Sequence, residues 1–396
     1  MATFLETSSF AGNPTDADLE LLVQLRPFPQ ETSPDFEAFW RDLERRSLLR
    51  NPFLSASFLL PQWDLESPLG VEFLTVQDQS GCWLFAGLFQ RIRGTRELPL
   101  PHLRALCTQH TFKSGVLVDA NRCEEVIAAV WQFLRRQNLH GLSFPTLPLR
   151  SSLACLLREK CEIDHTGAFE SDVFERATTS LADLDESGMS SKRAKSLRRG
   201  RRALEKLGTL EFRIRDQAGT DDFLRLETLG WKGNSGSALA CDPRQADAFR
   251  RVIAGFGRQQ RVQFAELTLA EQVIASMCLF RSESDYYAFK IGWDPQLERG
   301  CPGFLLASEI QSHLTDLPGC ERIDGCAKPG SFLDHVWSGR KALGIATFTT
   351  TRWGAAAARG TEMVRNLIRR MRGTDPTKST SQPTHNTEEE LEGVAV

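Results

Sequence analysis

The stretch that most constrains this chain runs from Asp285 to Leu314, DYYAFKIGWDPQLERGCPGFLLASEIQSHL. Residues 285–293 alternate as a strand does, with Tyr287, Phe289, Ile291 and Trp293 on one parity and Tyr286, Ala288, Lys290 and Gly292 on the other. A loop holding Pro295, Arg299 and Gly300 follows, and Pro302 and Gly303 open a helix. Proline suits a first helical position, where its missing N–H would have had no partner. Leu306, Ile310 and Leu314 recur at helical spacing, so this helix has one apolar face. Strand, glycine-bearing loop and helix start together offer free backbone N–H groups and the positive end of a helix dipole, which suits phosphate. The same order also serves as an ordinary β–α connection, so its meaning depends on the sequence around it.

At 396 residues the chain has room for two domains. Its 41% hydrophobic and 25% charged residues are those of a soluble globular protein. A net charge of −3 gives no global attraction to nucleic acid or anionic lipid, so such binding would need a local patch. The ten cysteines form no CxxC pair and no Cys/His zinc spacing, and no metal is expected. They lie among apolar neighbours, as reduced thiols do. The acidic start lacks the charged and apolar regions of a signal peptide, and no run approaches the ~20 apolar residues of a membrane helix. These features predict a cytoplasmic protein without a membrane span.

Residues 1–20 read as a flexible leader and 374–396 as a disordered tail rich in Thr, Ser, Pro and Glu. Between them the patterns predict an amphipathic helix over 36–50, a hairpin of 70–76 with 82–91, and a short strand at 116–118. A helix over 122–137, a strand near 142–144, a helix near 151–160 and a strand near 172–176 follow. The polar, acidic stretch 180–189 marks a boundary between an N-terminal unit (21–180) and a C-terminal unit (181–373). Next, residues 190–207 carry eight basic side chains against one acid, with a thin apolar stripe of Ala194, Leu197, Leu204 and Leu207. The strand pair 261–269 and 272–281 precedes the stretch described above. After it come a short strand at 320–326, a helix within 331–343 that includes Trp337, Arg340 and Lys341, a last strand at 347–350 and a basic helix over 355–372.

In the second half, helices thus precede an antiparallel meander whose last strand feeds a loop, a helix and a parallel strand. With the stretches NPFLSASFL (51–59), SKRAKSLRRGRRALEKLG (191–208), LETLGWKGNSGSAL (226–239), YYAFKIGWD (286–294) and PGFLLASEI (302–310), the chain resembles the CelD-like, FemAB-related acetyltransferase-domain family over about residues 35–355. The resemblance implies an α/β fold with a mixed sheet, built as two GNAT-like domains in tandem. It implies an acyltransferase that draws its acyl group from acetyl-CoA or another acyl-CoA and passes it to an amine or hydroxyl. The acceptor would be a small molecule or saccharide, such as an envelope precursor. The CoA pyrophosphate would rest on Arg299, Gly300, Cys301 and Gly303, with Lys290, Ile291 and Phe304 completing the donor site. Two departures stand out: the usual glycine-rich loop is reduced to Arg299-Gly300-Cys301-Pro302-Gly303, and Cys301 replaces a better-capping serine. FemAB relatives take aminoacyl groups from tRNA, which gives a rival donor; a GNAT scaffold that only binds an anionic partner is a third reading.

Among individual residues, Lys290 is a charge in an apolar strand, and either binds a ligand or pairs with an acid such as Asp324. Trp231 and Lys232, in a glycine-rich loop, and Trp337 are candidates for acceptor binding. Asp324, Glu309 and His335 compete for the role of general base, each against a plain salt-bridged or surface role. Neither tyrosine follows the last helix, so no tyrosine acid is expected. The basic helix has three readings: a solvated face, an electrostatic funnel for the donor phosphates or an anionic acceptor, or a nucleic-acid contact. Cys301, at a helix start, is the thiol to test for covalent catalysis.

Overall fold

The computed structural model of the chain describes residues 21–29, 32–66, 68–183 and 189–371. The expected leader and tail, and residues 184–188 of the acidic stretch, lie outside the described residues. The first half contains β1 (Leu22–Pro27), α1 (Pro34–Arg46), α2 (Ala56–Glu66), β2 (Val71–Gln77), β3 (Trp83–Ile92), β4 (His102–Ala105), β5 (Leu117–Val118), α3 (Cys123–Arg136), β6 (Gly141–Pro148), α4 (Ser152–Ile163) and β7 (Ala168–Ser180). The second contains α5 (Ser191–Glu205), β8 (Leu210–Arg215), α6 (Thr220–Leu229), α7 (Trp231–Asn234), α8 (Pro243–Gly257), β9 (Val262–Leu269), β10 (Gln272–Ser282) and β11 (Asp285–Trp293). It ends with α9 (Pro302–Ser312), β12 (Arg322–Asp324), β13 (Gly339–Thr349) and α10 (Arg352–Met371).

All these strands join one mixed sheet, in the order β1-β2-β3-β4-β6-β13-β7-β12-β11-β10-β9-β8, with β5 beside β3. Each half has one parallel pair, β4 with β6 and β11 with β12. The centre is an exchange. β13, from the end of the chain, pairs antiparallel with β6, and β7, from the end of the first half, pairs with β12. The two exchanged strands also pair with each other from Gly339↔Thr178 to Phe348↔Ala168. The sheet therefore runs without a break from one half to the other.

Strand β11 departs from the parity its sequence suggests. Leu279 of β10 faces Ala288, but Cys278 faces Lys290, so Phe289 is an extra residue in a bulge. The bulge turns the rest of the strand over. Tyr287 and Phe289 pack with Phe53, Phe58, Phe249 and Phe280 on one side of the sheet. Ile291 and Trp293 join Tyr286 and Ala288 on the other, against Leu305, Leu306 and Ile310 of α9.

The region 331–343 also differs from expectation. A short turn covers Phe332–His335, and residues from Gly339 onward extend as β13. The helical spacing of Trp337, Arg340 and Lys341 gave way to pairing of Gly339, Arg340 and Lys341 with β7, and β6 joins the other side from Leu343 onward. That change brings Lys341 into the sheet junction.

Candidate functional site

β11 and β12 pair only over Asp285–Tyr287 and Arg322–Asp324. β12 then stops: the Gly325 N–H donates to the Ala177 carbonyl of β7 instead. β11 runs on to Trp293 beyond its pairing with β12, so the two parallel strands part after Tyr287.

Past Trp293, Asp294 caps a tight turn by accepting the Gln296 N–H at 2.9 Å. Cys301 takes the left-handed conformation (φ 52°), and Pro302 starts α9. Leu305 makes the first helical bond, to the Cys301 carbonyl. The amides of Gly303 and Phe304 precede it and point out of the helix start. A Cβ on Gly303 would lie 3.3 Å from the Trp293 ring, so a side chain there would crowd the opening.

The basic helix α5 crosses this loop closely. A Cβ at Gly200 would come within 2.7 Å of the Gly300 carbonyl. In most helices glycine-to-alanine gains about 1 kcal/mol from propensity. Here the added methyl meets backbone, so Gly200→Ala is expected to destabilise the protein, as thermal unfolding would reveal; a gain in Tm would mean that α5 does not rest on this loop. Arg193 lies over the Phe304 ring at 5.5 Å. Lys192, Lys195, Arg198, Arg199, Arg202 and Lys206 remain exposed. The helix thus has both a solvated face and one cation beside the start of α9.

The expected site residues fall into distinct places. Arg299 is exposed on the loop, while Gly300 and Gly303 are buried and Ile291, Cys301 and Phe304 are half-buried. Lys290 does not pair with Asp324. Its amine meets the fully buried Glu227 of α6 at 3.2 Å, and the same carboxylate accepts the Leu239 N–H. Glu309 is held by Arg201 of α5, two turns along α9 from its start. Trp337 is fully buried and donates its indole N–H to the Ala307 carbonyl at 3.1 Å, so it packs the core and offers no face to an acceptor. The backbone of Trp231 and Lys232 lies in α7, and their side chains are outside the described residues.

Asp324 is buried between the exchanged strands. Its carboxylate meets Lys341 at 3.2 Å and Arg176 at 3.4 Å, and accepts the Cys326 N–H at 3.0 Å. Burial alone would raise its pKa, but Lys341 and Arg176 hold it far below the usual carboxylate range. A carboxylate so held has little affinity for a proton, which argues against the expected role of general base. The Cys301 thiol is pushed up by burial and by Glu298, the reverse of the lowering expected at a helix start. His335 is exposed on the turn that packs over the end of β12, where Leu333 and Trp337 back onto Gly325. The packing around its ring and the nearby Arg193 lower its pKa, so the imidazole is neutral at pH 7.

Sequence reading missed Lys113. It lies on the connection between β4 and β5 and reaches into the second half, donating to the Tyr287 hydroxyl at 2.9 Å and to the Arg50 carbonyl at 3.0 Å. Burial first, then the charge of Lys341, pushes its pKa down to about 7. Unfolded, the amine titrates near 10.5. Between those values the unfolded chain binds the extra proton, so this group makes stability rise with pH. Lys113→Met is expected to remove that part of the slope above pH ~7, at most about 1.4 kcal/mol per pH unit. Urea unfolding of both proteins at neutral and mildly alkaline pH checks this; equal slopes would mean that Lys113 stays charged when folded.

Comparison with known proteins adds a match over part of the chain. Residues 191–328 match the model described as Acetyltransferase (GNAT) domain. That segment holds α5, the meander β8–β11, α9 and β12, and with them the whole opening. No curated protein matches the chain. Among solved structures, a conserved protein of unknown function from Bacteroides thetaiotaomicron is 12% identical at TM-score 0.48, over 82% of this chain and 99% of that one. FemX is 10% identical at TM-score 0.47, over 82% and 97%. A tandem GNAT protein from the clavulanic acid biosynthesis pathway is 11% identical at TM-score 0.39, over 83% and 99%. Likeness at this level carries no functional argument. The family match bears on residues 191–328 alone, which are similar to a GNAT acetyltransferase domain.

Proposed function

We propose that this protein transfers an acyl group, in the simplest case acetyl, from acyl-CoA to an amine or hydroxyl on a small molecule or saccharide. The observation that carries this reading is the parting of β11 from β12 beside the start of α9. The donor diphosphate would lie on the amides of Gly303 and Phe304, with Gly300, Cys301 and Arg299 around it and Arg193 adding charge. Its pantetheine arm would run along β11 where that strand parts from β12. Backbone N–H groups of β11 would polarise the thioester carbonyl as the acceptor attacks. Lys290 and Glu309, engaged by Glu227 and Arg201, serve structure in this scheme. His335 is the base we favour, because it is exposed, neutral and beside Arg193. The residue units 21–180 and 181–373 would divide the work, the second holding the donor and the cleft between them the acceptor. The ten free cysteines suit a reducing, cytoplasmic setting.

Transfer would be direct. A raised thiol pKa makes Cys301 a poor nucleophile. Cys301→Ser is therefore expected to keep CoA release from acetyl-CoA within about twofold of wild type, whereas complete loss in a folded variant would point to a covalent route.

The exposed basic face of α5 favours one rival, an aminoacyl-tRNA donor. Thermal-shift titration separates the two. Acetyl-CoA at about 100 times its Kd should add about 2.7 kcal/mol of stability, while charged tRNA should add nothing. Stabilisation by charged tRNA alone would replace our reading with the rival.

A further inference from the structure

Helix α10 packs on the body by one side only. Ala355 and Ala358 are buried there, the Thr361 hydroxyl donates to the Glu97 carbonyl, and Arg365 reaches the Glu97 carboxylate at 3.9 Å. At about 100° per residue, Trp353, Gly360, Met363, Val364 and Leu367 fall within one arc of about 100°, directly opposite that packed side. Trp353 is 79% exposed and Met363 73%, and Val364 and Leu367 are more than half exposed. Among the described residues these are the largest exposed apolar side chains of the helix, and they form one continuous stripe.

Charge says what the stripe faces. The exposed Arg352 and Arg359 border it. The helix sequence as a whole carries five arginines against one acid, Glu362, in a chain of net charge −3. A second copy docked by this face would bring Arg352 and Arg359 against the same two cations. An anionic surface complements them. A basic helix with tryptophan and aliphatic residues on its outer face lies in the plane of a bilayer interface, its apolar side at the acyl boundary and its arginines at the phosphates. No helix among the described residues is long and apolar enough to cross a membrane. We propose that α10 docks the protein onto the surface of an anionic lipid bilayer. This inference is independent of the donor and acceptor assigned above.

The test uses the full chain and two sets of vesicles, phosphatidylcholine alone and phosphatidylcholine with roughly one third phosphatidylglycerol. Wild type is expected to sediment with the anionic vesicles at least about tenfold more than with the neutral ones, and to be released as salt is raised. The variant Trp353→Ser/Met363→Ser/Val364→Ser/Leu367→Ser changes only exposed side chains, so it should fold as wild type, yet lose vesicle binding about tenfold or more. Arg352→Glu/Arg359→Glu should lose it likewise. Absence of wild-type binding, or equal binding by wild type and the stripe variant, overturns the proposal. So does a wild-type dimer in sedimentation velocity that becomes a monomer in the stripe variant, since the face would then belong to a second copy.

Discussion

Asp324→Ala is expected to cost about 3–5 kcal/mol of stability, the usual cost of removing one partner from a buried ion pair. The side chain sits where the two halves exchange strands. Arg176 comes from β7, Lys341 from β13 and Asp324 from the end of β12; Arg176 and Asp324 are buried and Lys341 is partly buried. Without the carboxylate, two cations would lie close together with no acid between them, and the Cys326 N–H would lose its acceptor. Asp324→Asn separates the two effects. It keeps an oxygen for Cys326 but removes the charge, so most of the loss should remain. The carboxyl's pKa is depressed on folding, so its contribution is complete above the unfolded value near 3.8 and fades as pH falls below it. Urea unfolding at neutral pH checks the prediction. A variant as stable as wild type would show that the cluster is not ionised as its geometry implies.

The sequence reading reached the elements around the start of α9 because each carries a local signal. Alternation marked β11, and proline with a 3–4 repeat marked the start of α9. The hairpin of β2 and β3 was legible in its Asp78–Gly81 turn. What escaped depends on partners far along the chain. The bulge at Phe289 is defined by its register against β10, so parity within β11 could not reveal it. The start of β13 looked helical because its extended form over 339–341 depends on pairing with β7. For the same reason Asp324 read as a candidate base: neither Arg176 nor Lys341 is near it in sequence. Lys113 gave no pattern at all, being one lysine in an irregular connection whose depth is set by the other half. Trp337 carried a weak hint, since a tryptophan between Val336 and Ser338 can face either way, and here it faces in.

The central claim is that the acyl donor's diphosphate rests on the amides at the start of α9. Gly303 is the position through which to test it, because its φ is ordinary and the three atoms nearest to a Cβ there all belong to the Trp293 ring. Alanine there asks the ring to give by a few tenths of an ångström. Tryptophan must either displace Trp293 or lie across the amides of residues 303 and 304. Hydrogen bonds to a charged group are each worth about 1.5–3 kcal/mol. Losing two of them should weaken binding at least about a hundredfold. Calorimetric titration of acetyl-CoA into wild type, Gly303→Ala and Gly303→Trp is the deciding measurement, with circular dichroism to show that all three fold. The account predicts saturable binding of one acetyl-CoA per chain to wild type, a loss within about tenfold for alanine and no measurable binding for tryptophan. Unchanged affinity in a folded Gly303→Trp would contradict it.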